Sequence, residues 1–134
     1  MLGQGIVAAL PRVKAVSTSA FDRVIAAVDA SHYLLTPRAV VTPERIGELA
    51  AVFAYATTSG QSITFRSGGT SLSGQASTGE ILADTRRHFR SIAVAVEGRI
   101  ARVGPGATVR QVNARLRRHG RKLTPAKPPP SPSL

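Results

Sequence analysis

The stretch FRSGGTSLSGQAS, Phe65–Ser77, sets glycines and hydroxyl side chains around a single arginine and offers almost nothing to bury. Glycine admits positive φ and lets a backbone approach a ligand with no Cβ in the way. Successive backbone N–H groups can then converge on an anion, forming a concave nest for phosphate oxygens. The hydroxyls of Ser67, Thr70, Ser71 and Ser73 add donors, and Arg66 sets a positive charge at the mouth of the loop. That chemistry suits a phosphate or pyrophosphate. A slack linker could share this composition, but the loop directly follows a strand-like run, QSITFRS, which favours binding.

A second glycine turn, VGPGAT at Val103–Thr108, opens a helical pattern. Backbone donors at a helix N-terminus favour anions; an ordinary turn capped by Thr108 is the other reading. Neither turn matches a familiar nucleotide fingerprint. A P-loop needs a lysine after its glycines, and a dinucleotide-binding turn opens a long helix with an acidic residue about 20 positions on. The serines lack a G-x-S-x-G elbow, which speaks against hydrolase chemistry. His32, His88 and His119 have no metal-ligand spacing, and Asp84 beside Arg86 and Arg87 reads as a local ion pair.

Several elements must hold these turns. Residues 1–30 read as helical, with Ser19 a cap and Phe21, Val24, Ile25 and Val28 on one face. PRAVVTPE reads as a brief strand between Pro37 and Pro43. Thr42 and Pro43 then suit the start of a helix that carries Ile46, Leu49, Ala50 and Phe53 inward and stops at Gly60. QSITFRS and GEILADT are strands, and SIAVAVEGRIARVGPG is a hairpin turning at Glu97–Gly98. The last helix starts near Thr108, turns Val109, Val112 and Leu116 inward and ends at Gly120. TPAKPPPSPSL has no periodicity and reads as an extended end. The element order predicts an α+β or α/β layer fold.

The totals narrow the function. The chain has 134 residues, 43% hydrophobic and 19% charged, enough for one modest globular domain. With no cysteine, disulfides, thiolate ligands and iron–sulfur ligation by this chain are excluded. No apolar run approaches the roughly 20 residues of a membrane span, so a cytoplasmic location is expected. A net charge of +11 invites nucleic acid. Yet the charge is mostly arginine spread along the chain, and the densest cluster, RLRRHGRK at Arg115–Lys122, reads as a solvated helix face. A small basic nucleic-acid-binding module stands as the alternative function.

In order along the chain, PRAVVTPE, the helix ending in TSG, ITFRSGGTSLSGQA, ILADTRR and ARVGPGATVRQVNARLRRHGRKLTP together resemble the N-terminal part of FAD-linked oxidases and dehydrogenases with a PCMH-type FAD-binding domain, the vanillyl-alcohol oxidase superfamily. DASHYLLTP and GGTSLSGQA look most like its glycolate and D-lactate dehydrogenase branch. The resemblance implies an α+β fold: the N-terminal α/β subdomain of that domain and the start of its second part, over residues 29–125, with a helical segment at 1–28 and a disordered proline-rich tail at 126–134. It implies FAD held across Arg66, Ser67, Gly68, Gly69, Thr70 and Ser71, with Gly74 and Gln75 closing the loop and Pro105, Gly106, Ala107 and Thr108 as a second wall. Thr70 stands where covalent branches carry histidine, which implies non-covalent FAD.

In such enzymes hydride passes from a 2-hydroxy acid to the flavin, and electrons leave through an acceptor or an iron–sulfur domain or subunit. No catalytic residue of that reaction falls in this chain. After Thr124–Pro125 the sequence departs from the family pattern into prolines. The chain is therefore expected to be a truncated, inactive fragment; half of a split enzyme is the other reading.

Overall fold

Two short apolar runs, AVV and ILAD, build the centre of the first of the chain's two units. In the computed structural model, which describes residues 2–123, they form strands β2 (Ala39–Val41) and β4 (Ile81–Asp84). β4 pairs in parallel with β2 on one side and with β3 (Ile63–Arg66) on the other. Ile81, Leu82 and Ala83 are all buried, as a strand covered on both faces requires. The proline-rich end from Thr124 onward lies outside the described residues.

The chain divides into two units. The first runs through Arg90 and includes Gly104–Gly106. Its sheet has the order β1-β2-β4-β3, with the two-residue β1 (Val16–Ser17) antiparallel to β2. Helix α1 (Leu2–Ala9) stops ahead of Pro11, whose ring and missing N–H end a helix. Residues 1–30, expected to be helical, thus contain a strand. Ile6, Leu10 and Val13 join Val41, Val52 and Ile81 in one core.

Helix α2 (Ala20–Ala27) is capped as the sequence predicts: the Ser19 hydroxyl accepts from the Asp22 N–H at 3.1 Å. Its apolar stripe is not buried, however. Phe21, Val24, Ile25 and Val28 are exposed, and Ala27 packs inward instead. Helical periodicity groups residues on one face, but only tertiary packing decides which face is covered.

Helix α3 (Ile46–Ser59) starts later than expected, with Arg45 rather than Thr42 at its cap. The Glu48 carboxylate supplies the missing acceptor by taking the Glu44 N–H at 3.0 Å, and Glu48 is itself buried. The inward face is Glu48, Val52 and Ala56; Ile46, Ala50 and Phe53 face outward. Gly60, at φ 69°, closes the helix as anticipated.

From α3 the chain enters β3, an edge strand, and must then return to begin its parallel neighbour β4. Parallel neighbours need a long crossover, usually a helix. Here the glycine-rich loop and the residues after it make that return.

The second unit comprises Ser91–Val103 and the chain from Ala107 onward. β5 (Ile92–Ala95) and β6 (Ile100–Val103) form the predicted antiparallel hairpin, Ile92 opposite Val103. Its turn places Val96, Glu97 and Gly98 at φ 49°, 51° and 84°. Helix α4 (Val109–Leu116) opens with a capping box between Thr108 and Gln111. Val112 and Leu116 are buried, while Val109, expected inward, sits exposed in the first turn. Arg115, Arg117, Arg118 and Arg121 are all exposed.

The α+β organisation expected from the sequence is the one that forms. Because Ile81 is wholly buried between two partner strands, Ile81→Ala should destabilise the first unit by about 2–5 kcal/mol. Urea unfolding followed by circular dichroism measures it.

Candidate anion-binding loop

β3 delivers Arg66 to the start of the glycine loop, but not as a charge standing at its mouth. The side chain turns inward and is only 5% exposed. Buried N–H groups must find acceptors. Nε and Nη2 donate to the Ala76 carbonyl at 2.9 and 2.7 Å, and Nη1 donates to the Ala26 carbonyl at 2.6 Å and the Val28 carbonyl at 3.3 Å. Nη2 also lies 3.9 Å from Asp29 Oδ2. Burial lowers the Arg66 pKa and Asp29 opposes that shift; a guanidinium keeps its charge regardless. An arginine beside glycines gives no sign in the sequence of this inward anchorage, and Arg66 still lines the cavity beside Gly68 and Gly69.

Asp29 completes the anchor. Its carboxylate accepts from the Ser31 N–H at 2.8 Å, the Ser31 hydroxyl at 2.6 Å and the Ser77 hydroxyl at 2.9 Å. The Ser31 bonds, ahead of Ser77 and Arg66 and against burial, hold the Asp29 pKa below its ordinary value of 3.8.

The loop itself is bent by two glycines. Gly69 sits at φ 66° and its carbonyl accepts from the Ala30 N–H at 2.9 Å. Gly74 sits at φ 77° beneath the Tyr33 ring, where a Cβ would fall 2.5 Å from a ring carbon. The Ser71 hydroxyl bonds Gln75 Oε1, and the Ser73 N–H reaches the Ser71 hydroxyl at 3.3 Å. Among the described residues, the N–H groups of Ser67, Gly68, Gly69, Thr70 and Ser71 donate to no protein acceptor. Gly68 and Gly69 line a cavity of about 490 Å³ together with Ile25, Val28, Leu82 and Arg86. It lies beside the carboxyl ends of β2 and β4, where parallel sheets place ligands.

In the second glycine turn, Pro105 accepts the Ser67 hydroxyl on its carbonyl at 2.6 Å. Gly106 donates to the Phe89 carbonyl at 2.8 Å. A Cβ there would fall 2.5 Å from the Thr85 oxygen and 2.8 Å from the Arg86 oxygen, so packing requires this glycine. Ala107 and Thr108 belong to the second unit. The Thr108 N–H is taken by Gln111 Oε1 at 2.9 Å. Asp84 makes the expected local ion pair with Arg86, and no group of three His, Asp or Glu among the described residues could hold a metal.

Sequence reasoning missed the backing of the loop by Ala26, Asp29, Ala30 and Tyr33. The only signal was DASHYLLTP, legible as a family feature and not as a contact.

The family model described as an FAD binding domain matches residues 37–131, and the chain belongs to that family. Its members are FAD-dependent oxidoreductases, and FAD is their cofactor. Among individual proteins, the chain is 35% identical over 117 residues to D-2-hydroxyglutarate dehydrogenase of Pseudomonas putida, covering 82% of this chain and 11% of that protein. The protein of the same name in Haemophilus influenzae is 32% identical over 114 residues, with the same coverage. The chain thus spans about a tenth of the length of these curated relatives. Among solved structures, 6-hydroxy-D-nicotine oxidase from Arthrobacter nicotinovorans superposes with a TM-score of 0.65 at 28% identity, over 79% of this chain and 24% of that one.

Two outcomes follow from the packing. Gly106→Ala drives a methyl into backbone oxygens that have nowhere to move, and should cost about 1–3 kcal/mol in urea unfolding. Asp29, with its folded pKa depressed, contributes stability that is full above its ordinary pKa and is lost as pH falls through the lowered value. Between about pH 6 and about pH 3 the melting midpoint of the natural chain should therefore fall more steeply than that of Asp29→Asn.

Proposed function

We propose that Ser67, Gly68, Gly69, Thr70 and Ser71 cradle the pyrophosphate of a non-covalently held FAD. Five consecutive N–H groups without an acceptor among the described residues carry this reading. They are donors in search of an anion, beside a cavity whose walls hold apolar side chains, the cations Lys14, Arg66, Arg86 and Arg87, and the carboxylates of Asp22, Asp29 and Asp84. FAD fits such a site: its phosphates meet backbone donors, and Gly68 and Gly69 leave no side chain in the approach. In this reading Arg66 frames the cradle, Gly74 and Gln75 close it, and Pro105 and Gly106 buttress its first serine. Thr70 in place of a histidine supports non-covalent attachment. Residues 29–125 are then the leading portion of the FAD-binding domain.

The parent reaction is the oxidation of a 2-hydroxy acid, for which bound FAD supplies the hydride acceptor. The names of the two curated relatives support this class. Glycolate and D-lactate share the α-hydroxycarboxylate of the compound in those names and are the narrower candidates. In this reading, what the residues of this chain do is bind and orient phosphate.

FAD added to the purified chain should raise its melting temperature, and flavin fluorescence titration gives the affinity. Gly69→Asp sets a carboxylate against the phosphates and a side chain at positive φ. It should weaken binding roughly tenfold or more, about 1.4 kcal/mol at least. Unchanged FAD affinity in that variant would overturn the assignment of the loop. Salt-sensitive binding of DNA or RNA with no response to FAD would favour the basic-module reading instead.

A further inference from the structure

We propose that the segment Ala26–Tyr33 is the template that holds the glycine loop in its ligand-ready shape, with Asp29 as its positioning residue. The proposal rests on the reading of the loop as a pyrophosphate cradle. The segment grips the loop at its beginning, middle and end. Arg66, where the loop begins, donates to the carbonyls of Ala26 and Val28. Gly69, in the middle, accepts the Ala30 N–H. Ser77, at the end, donates to Asp29 Oδ2, and the Tyr33 ring lies over Gly74.

The direction of these bonds matters as much as their number. Tying the Gly69 carbonyl to Ala30 fixes that peptide plane, and the Thr70 N–H, trans to the carbonyl in the same plane, is held pointing the opposite way. Asp29 is the centre of the grip because its side chain has no exposed surface and meets both Ser77 and Arg66. It touches the two ends of the loop and lies beneath Gly69, at the wall of the same cavity. Binding sites are precise when the residues beneath them are themselves locked.

The test uses the full chain with Asp29→Ala, Asp29→Asn and Ser77→Ala, probed with FAD and with ADP, which carries the same pyrophosphate. Asp29→Ala strips an acceptor from three donors and should weaken both probes roughly tenfold. Amide hydrogen exchange should accelerate at Ala30 and Ser77, whose N–H groups bond the Gly69 and Gly74 carbonyls, with the amides of β2 and β4 unchanged. Asp29→Asn can still accept from the Ser31 N–H and donate to the Ser77 hydroxyl, so it should recover most of the affinity. Ser77→Ala removes one bond and should give a smaller loss of the same kind, which preserves the test if Asp29→Ala does not fold.

Natural affinity in both Asp29→Ala and Ser77→Ala would overturn the proposal. So would faster exchange spread evenly over the first unit, or an Asp29→Asn variant no better than the alanine. If the natural chain binds neither FAD nor ADP, the pyrophosphate reading fails on its own. Exchange at the Ala30 and Ser77 amides then decides the template: acceleration confined to them in the variants upholds it, and unchanged exchange refutes it.

Discussion

A guanidinium shut away from water must place its N–H groups on acceptors close at hand, because an unmet buried charge costs far more than a lost surface contact. Arg66 meets that demand with main-chain carbonyls from two distant parts of the chain, Ala76 on one side and Ala26 and Val28 on the other. One side chain therefore joins the end of an edge strand, the exit of a long loop and the residues closing a helix. Thr85 adds a second tie by donating its N–H and hydroxyl to the Arg66 carbonyl. Lysine could not replace it, since a single ammonium lacks the planar fork that reaches both sides at once.

The connection between β3 and β4 shows why such anchoring is needed. Most parallel neighbours are linked through a helix, which satisfies its own backbone. A glycine-rich return has no such internal ladder, so each of its polar groups needs a partner from elsewhere. The carbonyls of Gly69, Gly74 and Ala76 find theirs within the protein. The N–H groups from Ser67 to Ser71 find none among the described residues. The loop thus acquires a polarity, with bonded oxygens on one side and, among the described residues, unpaired donors on the other. That asymmetry separates a cradle from a linker of the same composition.

Much of this architecture is written in local patterns. Ser19, Thr108, Gly60 and Gly120 mark helix ends by the chemistry of capping and left-handed closure, and each does so in the structure. The strands and hairpin follow from short β-branched runs between turns. What failed to show was burial. Phe21, Val24, Ile25, Ile46 and Phe53 are apolar at helical spacing, yet small or polar neighbours such as Ala27, Glu48 and Ala56 take the inner positions. Spacing reports a face, and only the rest of the fold chooses among faces. In the loop, the glycines and serines were legible as anion chemistry. The inward turn of Arg66 and the reason for Gly106 were not, because both depend on residues far away in sequence.

The outer side of β3 carries a last consequence. Among the described residues it has no strand partner, and unpaired edges are where copies of a protein add to one another's sheets. This edge is four residues long. Gly60 bends the chain shortly before it, and beyond it Gly69 bends the chain again, both in left-handed conformations. An incoming strand would find too short a stretch for a sustained ladder. The bend at Gly69 that shapes the loop therefore also leaves a poor template for edge-to-edge strand addition.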